Sequence, residues 1–399
     1  MKLNVAVFFG GESVEHEVSI ISANQAIHAL DKEKYNVIPV YVSKDRRLFC
    51  SDLMFDVANF TDLNHLLSES TQVVISKEDN RVVIRPVKTK LFGQKELGTI
   101  DVAIPVMHGT NGEDGTIQGY LEMLKVPYAG CDLYGAAIGQ DKVMQKHILS
   151  DNNIPITNWF WCYAEEMDEH PEEVLKKARK LIYPVILKPA RTGSSVGISI
   201  AHNDEEYMAC FDEARQFDEK IITEKVVKPM VEINCSVLGS CHEAKASVLE
   251  QVGGSEEFLT FQEKYLSGSK SSKGTGSKGM ASTARIVPAP LPQSQTEMIQ
   301  DIALKTFKIL NASGVCRIDF MMDEETKKVY VNEINTIPGS LAFYLWEATG
   351  MTFDQLMDNL VQLALDRQRR REKMTFSYET NILSNFTAGG TKGAKGAKR

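Results

Sequence analysis

Residues Arg317 to Ser340 limit what this chain can fold into more than any other stretch. They read R-I-D-F-M-M-D, then E-E-T-K-K, then V-Y-V-N-E-I-N-T-I-P-G-S. Two apolar-rich runs flank a charged turn, which is the pattern of a β-hairpin. Side chains alternate faces along a strand, so Arg317 and Asp319 share one face of the first strand, and Glu333 and Asn335 share one face of the second. With the faces matched, a cation, two acids and an amide converge on one spot. Hard oxygen donors of this kind suit Mg²⁺, which takes one or two carboxylates and leaves its other positions to water and phosphates. The same residues also fit a solvated hairpin face with ordinary ion pairs, and the hairpin alone leaves both readings open.

At 399 residues the chain is expected to hold two or three domains. Its apolar and charged fractions, 43% and 25%, are those of an ordinary globular protein. A net charge of −8 argues against a general nucleic-acid binder. The first residues enter a strand, K-L-N-V-A-V-F-F, with no signal-peptide pattern. No apolar run approaches the roughly 20 residues that a membrane span needs. The seven cysteines are scattered without a C-x-x-C pair or a zinc spacing, and read as reduced packing thiols of a cytosolic protein.

In chain order, Leu3 to Phe9 is an apolar strand running into G-G-E-S-V-E-H-E-V-S and a helix over Ile20 to Leu30, the opening of a doubly wound α/β unit. Glycines there let the backbone approach a ligand, and the helix start favours an anion. The G-x-G-x-x-G fingerprint is absent, which disfavours a nicotinamide-binding oxidoreductase. Glu15, an acid in this setting, is suited to receive an ammonium. Tyr35 to Val42 reads as the second strand, and Val73 to Val87 as a hairpin. Val102 to Met107 is a buried strand leading into H-G-T-N-G-E-D-G-T-I-Q-G. His108 then stands at the carboxyl end of a parallel strand, where α/β sheets bind ligands; a purely structural histidine is the alternative.

A domain boundary is expected near Pro127, followed by one helix over 136–149 and an amphipathic helix over Glu165 to Leu181. Next, Y-P-V-I-L-K-P-A-R-T-G-S-S-V-G-I-S-I reads as a strand bearing Lys188, a loop of small residues including Ser194 and Ser195, and a second strand. Backbone N–H groups of such a loop can wrap phosphate oxygens. Lys188 and Lys142 would neutralise their charge, although the spacing is not that of a P-loop. Glu224 and Glu232 are acids in apolar settings, suited to a base amine or a ribose hydroxyl, or simply to pairing with lysines. F-L-T-F-Q-E-K-Y-L carries Lys264 and Tyr265 and precedes a Gly/Ser/Lys-rich run, a mobile lid or a plain surface loop. Helices are expected over 294–311 and 353–371, and the last residues are low-complexity.

Six segments in this order, G-G-E-S-V-E-H-E-V-S, H-G-T-N-G-E-D-G-T-I-Q-G, K-P-A-R-T-G-S-S-V-G, E-K-Y-L, R-I-D-F and N-E-I-N-T-I-P-G, resemble the D-alanine–D-alanine ligases of the ATP-grasp superfamily. The likeness covers about residues 1–370. It implies an α/β, three-domain ATP-grasp fold. The parts are an N-terminal doubly wound domain (1–126), a central α+β subdomain (127–224), a C-terminal α/β subdomain (225–375) with a mobile loop (254–285), and a disordered tail (376–399).

The resemblance also implies roles. Lys142 and Lys188 are similar to phosphate-binding lysines, with Ser195 in the phosphate loop. Glu224 is similar to an adenine-contacting acid and Glu232 to a ribose-contacting one. Asp319, Glu333 and Asn335 are similar to ligands of two Mg²⁺ (or Mn²⁺), and Arg317 and Gly339 to oxyanion donors. Glu15, linked to Ser194 and Tyr265, resembles the group that orients the first D-alanine's ammonium. His108 resembles a further contact for that substrate, and Lys264 a lid lysine that meets the transferred phosphate. The implied reaction joins two D-alanines through a D-alanyl phosphate, with ATP as the phosphoryl donor, for peptidoglycan precursors. The implied setting is a cytoplasmic homodimer with no nucleic-acid or membrane partner. The segment after Gly339 is shorter than in the family, and Ser340 is the hydroxyl nearest to contacting the second substrate. D-serine or D-lactate as second substrate, or an inactive ATP-binding homologue, are therefore the competing expectations.

Overall fold

The computed structural model describes residues 2–88, 96–252 and 285–381, arranged around three sheets. The first holds β1 (Leu3–Gly10), β2 (Tyr35–Val42), β3 (Leu48–Cys50), β4 (Thr71–Glu78), β5 (Arg81–Pro86), β6 (Gly98–Thr99) and β7 (Val102–Pro105), in the order β6-β5-β4-β3-β2-β1-β7. Only β2, β1 and β7 are parallel. Val5 to Phe9 are at most 1% exposed, the continuous apolar run of a strand covered on both faces. The doubly wound expectation therefore holds for this parallel centre, whereas β3 to β6 extend the sheet antiparallel, with β4–β5 as the expected hairpin. Since β1 pairs with β2 on one side and β7 on the other, the loops after Gly10 and Pro105 open side by side at the switch point where such sheets hold ligands.

The second sheet holds β8 (Trp159–Tyr163), β9 (Val185–Pro189), β10 (Ser199–Ala201) and β11 (Lys220–Lys225), all antiparallel. The loop after Lys188 joins β9 to β10, strand to strand, as its sequence predicts. The third sheet is β12 (Met230–Gly239), β13 (Ala244–Val252), β14 (Arg285–Ile286), β15 (Gly314–Asp323) and β16 (Val329–Asn335), ordered β14-β13-β12-β15-β16. In the β15–β16 hairpin Arg317 stands opposite Asn335 and Asp319 opposite Glu333, with a bulge immediately after Asp319.

Three helix expectations need correction. The first helix begins at His16, four residues early, because the buried His16 ring bonds the Gly11 carbonyl at 2.6 Å and Tyr41 at 3.0 Å. The helix expected over 136–149 is two, Leu133–Gln140 and Lys142–Asp151. Asp141 breaks it: extended at φ −90°, ψ 103°, it turns its carboxylate onto the N–H groups of Val143 and Met144 and caps the second helix. The helix expected over 165–181 divides into Ala164–Glu169 and Pro171–Leu181, since Pro171 has no N–H to continue a helix but suits the first turn of a new one.

The cores show how the sheets are tied together. The helices His16–Ala29 and Phe353–Arg371 pack on one face of the first sheet, with Trp346 beside them. Helix Thr116–Met123 covers its other face. Residues Ala136, Leu149 and Ile154 pack not on the second sheet but on the third, against helix Gln293–Ile309. The second sheet has its own core with helices Pro171–Leu181 and Asp204–Ala214. At the junction, Arg367 lies 4.2 Å from the Tyr128 ring centre and donates to the Gly130 carbonyl at 2.7 Å. Gly314, at φ +77°, passes so close that a Cβ on it would lie 2.6 Å from the Gly130 Cα. Gly314→Ala is expected to cost roughly 1–2 kcal/mol from backbone conformation alone, with the backbone collision added. Urea unfolding should show a lower midpoint at unchanged slope.

Candidate active site

One cavity is walled by all three sheets and the loops between them. Its floor is the hairpin. Arg317 donates Nε to Asp319 Oδ1 at 2.6 Å and a terminal N–H to Oδ2 at 2.7 Å, and Asn335 Nδ2 donates to the same Oδ2 at 2.9 Å. Burial opposes the guanidinium's charge, but Asp319 more than offsets this and holds its pKa well above the ordinary value. Glu333 stands beside these groups, 3.4 Å from Lys142 Nζ. The four hairpin residues named from the sequence thus meet on one face, and all of them line the cavity. Two carboxylates and an amide oxygen on neighbouring strands, faced by two lysines, fit a hard divalent cation that shares its remaining positions with phosphate and water. Among the described residues, no group of three His, Cys, Asp or Glu gathers as a self-sufficient metal cage.

The cationic wall comes from the second sheet and the helix Lys142–Asp151. Lys142 Nζ donates to the Thr192 carbonyl at 2.8 Å, and Lys188 Nζ to Asn332 Oδ1 at 3.0 Å. Ser194 and Ser195, both left-handed at φ +53° and +60°, line the cavity between them. Glu232 lines it from β12. Glu224 does not belong to this wall. It is 1% exposed behind Lys188, at 3.0 Å from Lys188 Nζ, 2.9 Å from Lys146 Nζ and 2.7 Å from the Thr157 hydroxyl. Burial pushes its pKa up, but the two lysines and Thr157 outweigh this and hold the carboxyl well below the usual range. Of the two roles open to it, pairing with lysines describes its contacts. Sequence reasoning missed Lys146, although D-K-V-M-Q-K sets it four residues from Lys142, on the same helix face.

The remaining wall belongs to the first sheet. Glu15 accepts a hydrogen bond from the Ser194 hydroxyl, the link expected between them. A Cβ on Gly193 would lie 2.6 Å from Glu15 Oε2, and one on Gly109 2.8 Å from it, so both loops close directly over the acid. His108 reaches the cavity, but both its nitrogens are engaged: Nδ1–H donates to the Ile337 carbonyl and Nε2 accepts from the Ser22 hydroxyl, each at 2.8 Å. Burial lowers its pKa and keeps the ring neutral. Any contact with a substrate is therefore through the ring, not a ring nitrogen. Gly339 lines the cavity. Ser340 is not among the residues that line the cavity, and its N–H donates to Ser22 Oγ at 3.0 Å. Ser340, Leu341 and Ala342 are left-handed at φ +52°, +52° and +50°, a conformation costing about 1–2 kcal/mol per non-glycine residue. Lys264, Tyr265 and the rest of the loop expected over 254–285, up to residue 284, lie outside the described residues.

A second residue missed at the sequence level is Glu113, the acid inside the glycine loop H-G-T-N-G-E-D-G. It accepts from the Gly109 N–H at 3.0 Å and the Ile337 N–H at 2.8 Å. Burial and the neighbouring Glu15 outweigh these donors and raise its pKa to about 7.

Sheet order, lysine pair and acidic hairpin together define an ATP-grasp ligase. The family descriptions "D-ala D-ala ligase N-terminus" and "D-ala D-ala ligase C-terminus" match residues 4–131 and 148–362. A D-alanine--D-alanine ligase of Thermosipho melanesiensis is 38% identical over 96% of this chain and 98% of its own, and one of Caldicellulosiruptor bescii is 36% identical over 95% and 99%. Among solved structures, the D-alanine-D-alanine ligase from Coxiella burnetii aligns with TM-score 0.75 at 28% identity, covering 93% of this chain and 96% of that one. The VanG D-Ala:D-Ser ligase from Enterococcus faecalis aligns with TM-score 0.74 at 26% identity, covering 91% and 100%. This chain belongs to the D-alanine–D-alanine ligase family.

The raised pKa of Glu113 has a thermodynamic consequence. The folded chain binds this proton more tightly than the unfolded one, so its stabilisation is complete at low pH and is lost as pH rises from about 4.5 towards about 7. Glu113→Gln should remove that component. Unfolding free energies of wild type and variant across this window should therefore converge or cross with rising pH, not run parallel.

Proposed function

We propose that this protein joins two molecules of D-alanine into D-alanyl-D-alanine, converting ATP to ADP and phosphate, as a step towards peptidoglycan precursors. The observation that carries the reading is the facing of Arg317, Asp319, Glu333 and Asn335 by Lys142 and Lys188, with Glu15 and Ser194 across the same cavity. Glu15 receives the ammonium of the first D-alanine, and the Ser194 hydroxyl holds the acid in place. A carboxylate oxygen of that substrate attacks the γ-phosphorus, the bond to the β-phosphate oxygen breaks, and ADP leaves. Such a transfer needs positioning and charge neutralisation more than covalent help. Lys142, Lys188 and the Ser195 loop hold the phosphates, and Glu232 takes a ribose hydroxyl. Glu224, by its contacts, anchors Lys188 and Lys146 from behind. Two Mg²⁺ or Mn²⁺ ions bound by Asp319, Glu333 and Asn335 would neutralise and align the phosphate oxygens.

The amine of the second D-alanine then attacks the carbonyl of the D-alanyl phosphate; a proton is lost and phosphate departs. The Arg317 guanidinium and the Gly339 N–H receive the negative oxygen of the tetrahedral species, where one donor is typically worth about 10²–10³ in rate. The family resemblance gives Lys264 the transferred phosphate as its partner and Tyr265 a role with Glu15 and Ser194. His108 bounds the first-substrate site. The dependence on ATP fits a cytoplasmic enzyme, and the family supports a homodimer. Because a D-Ala:D-Ser ligase shares the fold, D-serine is the second reading for the attacking amine.

Incubation with ATP, Mg²⁺ and D-alanine should release phosphate and yield a D-alanyl-D-alanine mass. A far higher kcat/KM with D-serine would move the assignment to that substrate, and no phosphate with either would overturn it. Glu333→Gln is expected to lose turnover by about 100-fold or more, since it removes charge where the phosphates are neutralised. Near-wild-type turnover in the same phosphate-release assay would show that the hairpin is not the cation site.

A further inference from the structure

The reaction above leaves Glu113 without a part. It is 9% exposed beside a second acid, Glu15, and no ion pair joins it to a cation among the described residues. Burying a carboxyl in such a place is costly unless hydrogen bonds satisfy it, and its partners show what it holds. One oxygen accepts from the Gly109 N–H at 3.0 Å. The other accepts from the Ile337 N–H at 2.8 Å and the Thr336 hydroxyl at 3.3 Å. The carbonyl of the same Ile337 takes the His108 Nδ1–H at 2.8 Å. Three residues further on, the Ser340 N–H donates to Ser22 Oγ at 3.0 Å, and that hydroxyl donates to His108 Nε2 at 2.8 Å.

The segment 336–340 is thus gripped on both sides of Gly339 by side chains of the first domain, and Pro338, having no N–H, adds none of its own. The grip ends on Ser340, the first of three consecutive left-handed residues. Strain of that kind persists only where the surroundings over-determine it, so a loop released from these ties has a lower-energy shape to relax into. An oxyanion donor loses its value within tenths of an ångström, because it must stand 2.7–3.1 Å from where the charge develops.

We infer that Glu113, His108 and Ser22 are positioning residues that aim the Gly339 N–H by bonding the peptides that flank it, coupling the oxyanion site to the loop that closes over Glu15. The inference rests on the ligase reading. It makes the first-substrate loop and the oxyanion loop one body: Gly109, whose N–H Glu113 holds, packs against Glu15, while Ile337, held by the same carboxyl, leads into Gly339.

The test compares wild type, Glu113→Gln and Ser22→Ala. The glutamine keeps one acceptor and points an N–H₂ at a backbone N–H; the alanine removes one hydroxyl without touching any charge. Three quantities are read: ADP affinity, steady-state kcat and KM for ATP, and affinity for a phosphinate isostere of the tetrahedral species measured with ATP present. Transition-state analogues report interactions made only in the transition state. Glu113→Gln should lower kcat by about 10–100-fold and phosphinate affinity by a similar factor, with ADP affinity and KM for ATP within about twofold of wild type; Ser22→Ala should show the same split with smaller losses. Variants that keep kcat within twofold of wild type, or that lose ADP and phosphinate affinity in equal measure, overturn the inference. A wild type that forms no dipeptide overturns the ligase reading and this inference with it, whereas active wild type with unchanged variants overturns the inference alone.

Discussion

The paired hydrogen bonds between Arg317 and Asp319 are the interaction on which the active cavity depends. A guanidinium buried as Arg317 is survives only beside a compensating charge, and Asp319 supplies it in bidentate geometry at 2.6 and 2.7 Å. Breaking such a buried pair from one side typically costs about 3–5 kcal/mol, because the other charge is stranded. The pair has a second consequence. Asp319 is held rigidly by Arg317 and Asn335, so both of its oxygens are fixed in direction at the floor of the cavity. The strand pairing enforces all of this: a one-residue slip between β15 and β16 would turn every one of these side chains to the other face.

Around that hairpin, three sheets supply different chemistry. The second sheet and the helix Lys142–Asp151 supply cations, the third supplies acids, and the first supplies the switch-point loops with Glu15 and His108. Charges of both signs are paired in the wall and behind it: Lys142 with Glu333 and Arg317 with Asp319 in the wall, Lys188 with the buried Glu224, which also holds Lys146, behind it. Each of these cations therefore has a carboxylate beside it that offsets the cost of holding its charge away from water.

Much of this was readable from the residues. The alternation in R-I-D-F and N-E-I-N put four side chains on one face, and the hairpin has that register. The strand–loop–strand around Lys188, the strand ahead of His108 and the helix Phe353–Arg371 also follow from local pattern. What the pattern could not carry was competition between side chain and backbone. Asp141 breaks a helix by capping the next one, and periodicity is blind to that choice. Glu224 sits between two lysines because Lys146 arrives from a distant helix, a contact no local window contains. His108 and Glu113 bind a backbone segment more than 220 positions away, so their work is visible only in three dimensions.

The last helix, Phe353–Arg371, packs on the sheet that the first strand begins. Leu356, Met357, Leu360 and Val361 cover apolar surface belonging to β1 and its neighbours, some 350 residues earlier in the chain. During synthesis, therefore, the N-terminal sheet emerges with this face covered only in part, by helix His16–Ala29, and stays so until nearly the whole polypeptide has left the ribosome, which at about 5–20 residues per second is a wait of tens of seconds. The first sheet to be made is among the last to be finished. Loop-closure entropy for so distant a contact must be met before its burial is rewarded. A chain truncated before residue 353 would leave the part of this apolar face that the last helix covers open to aggregation, even though both strands of the β15–β16 hairpin had already been made.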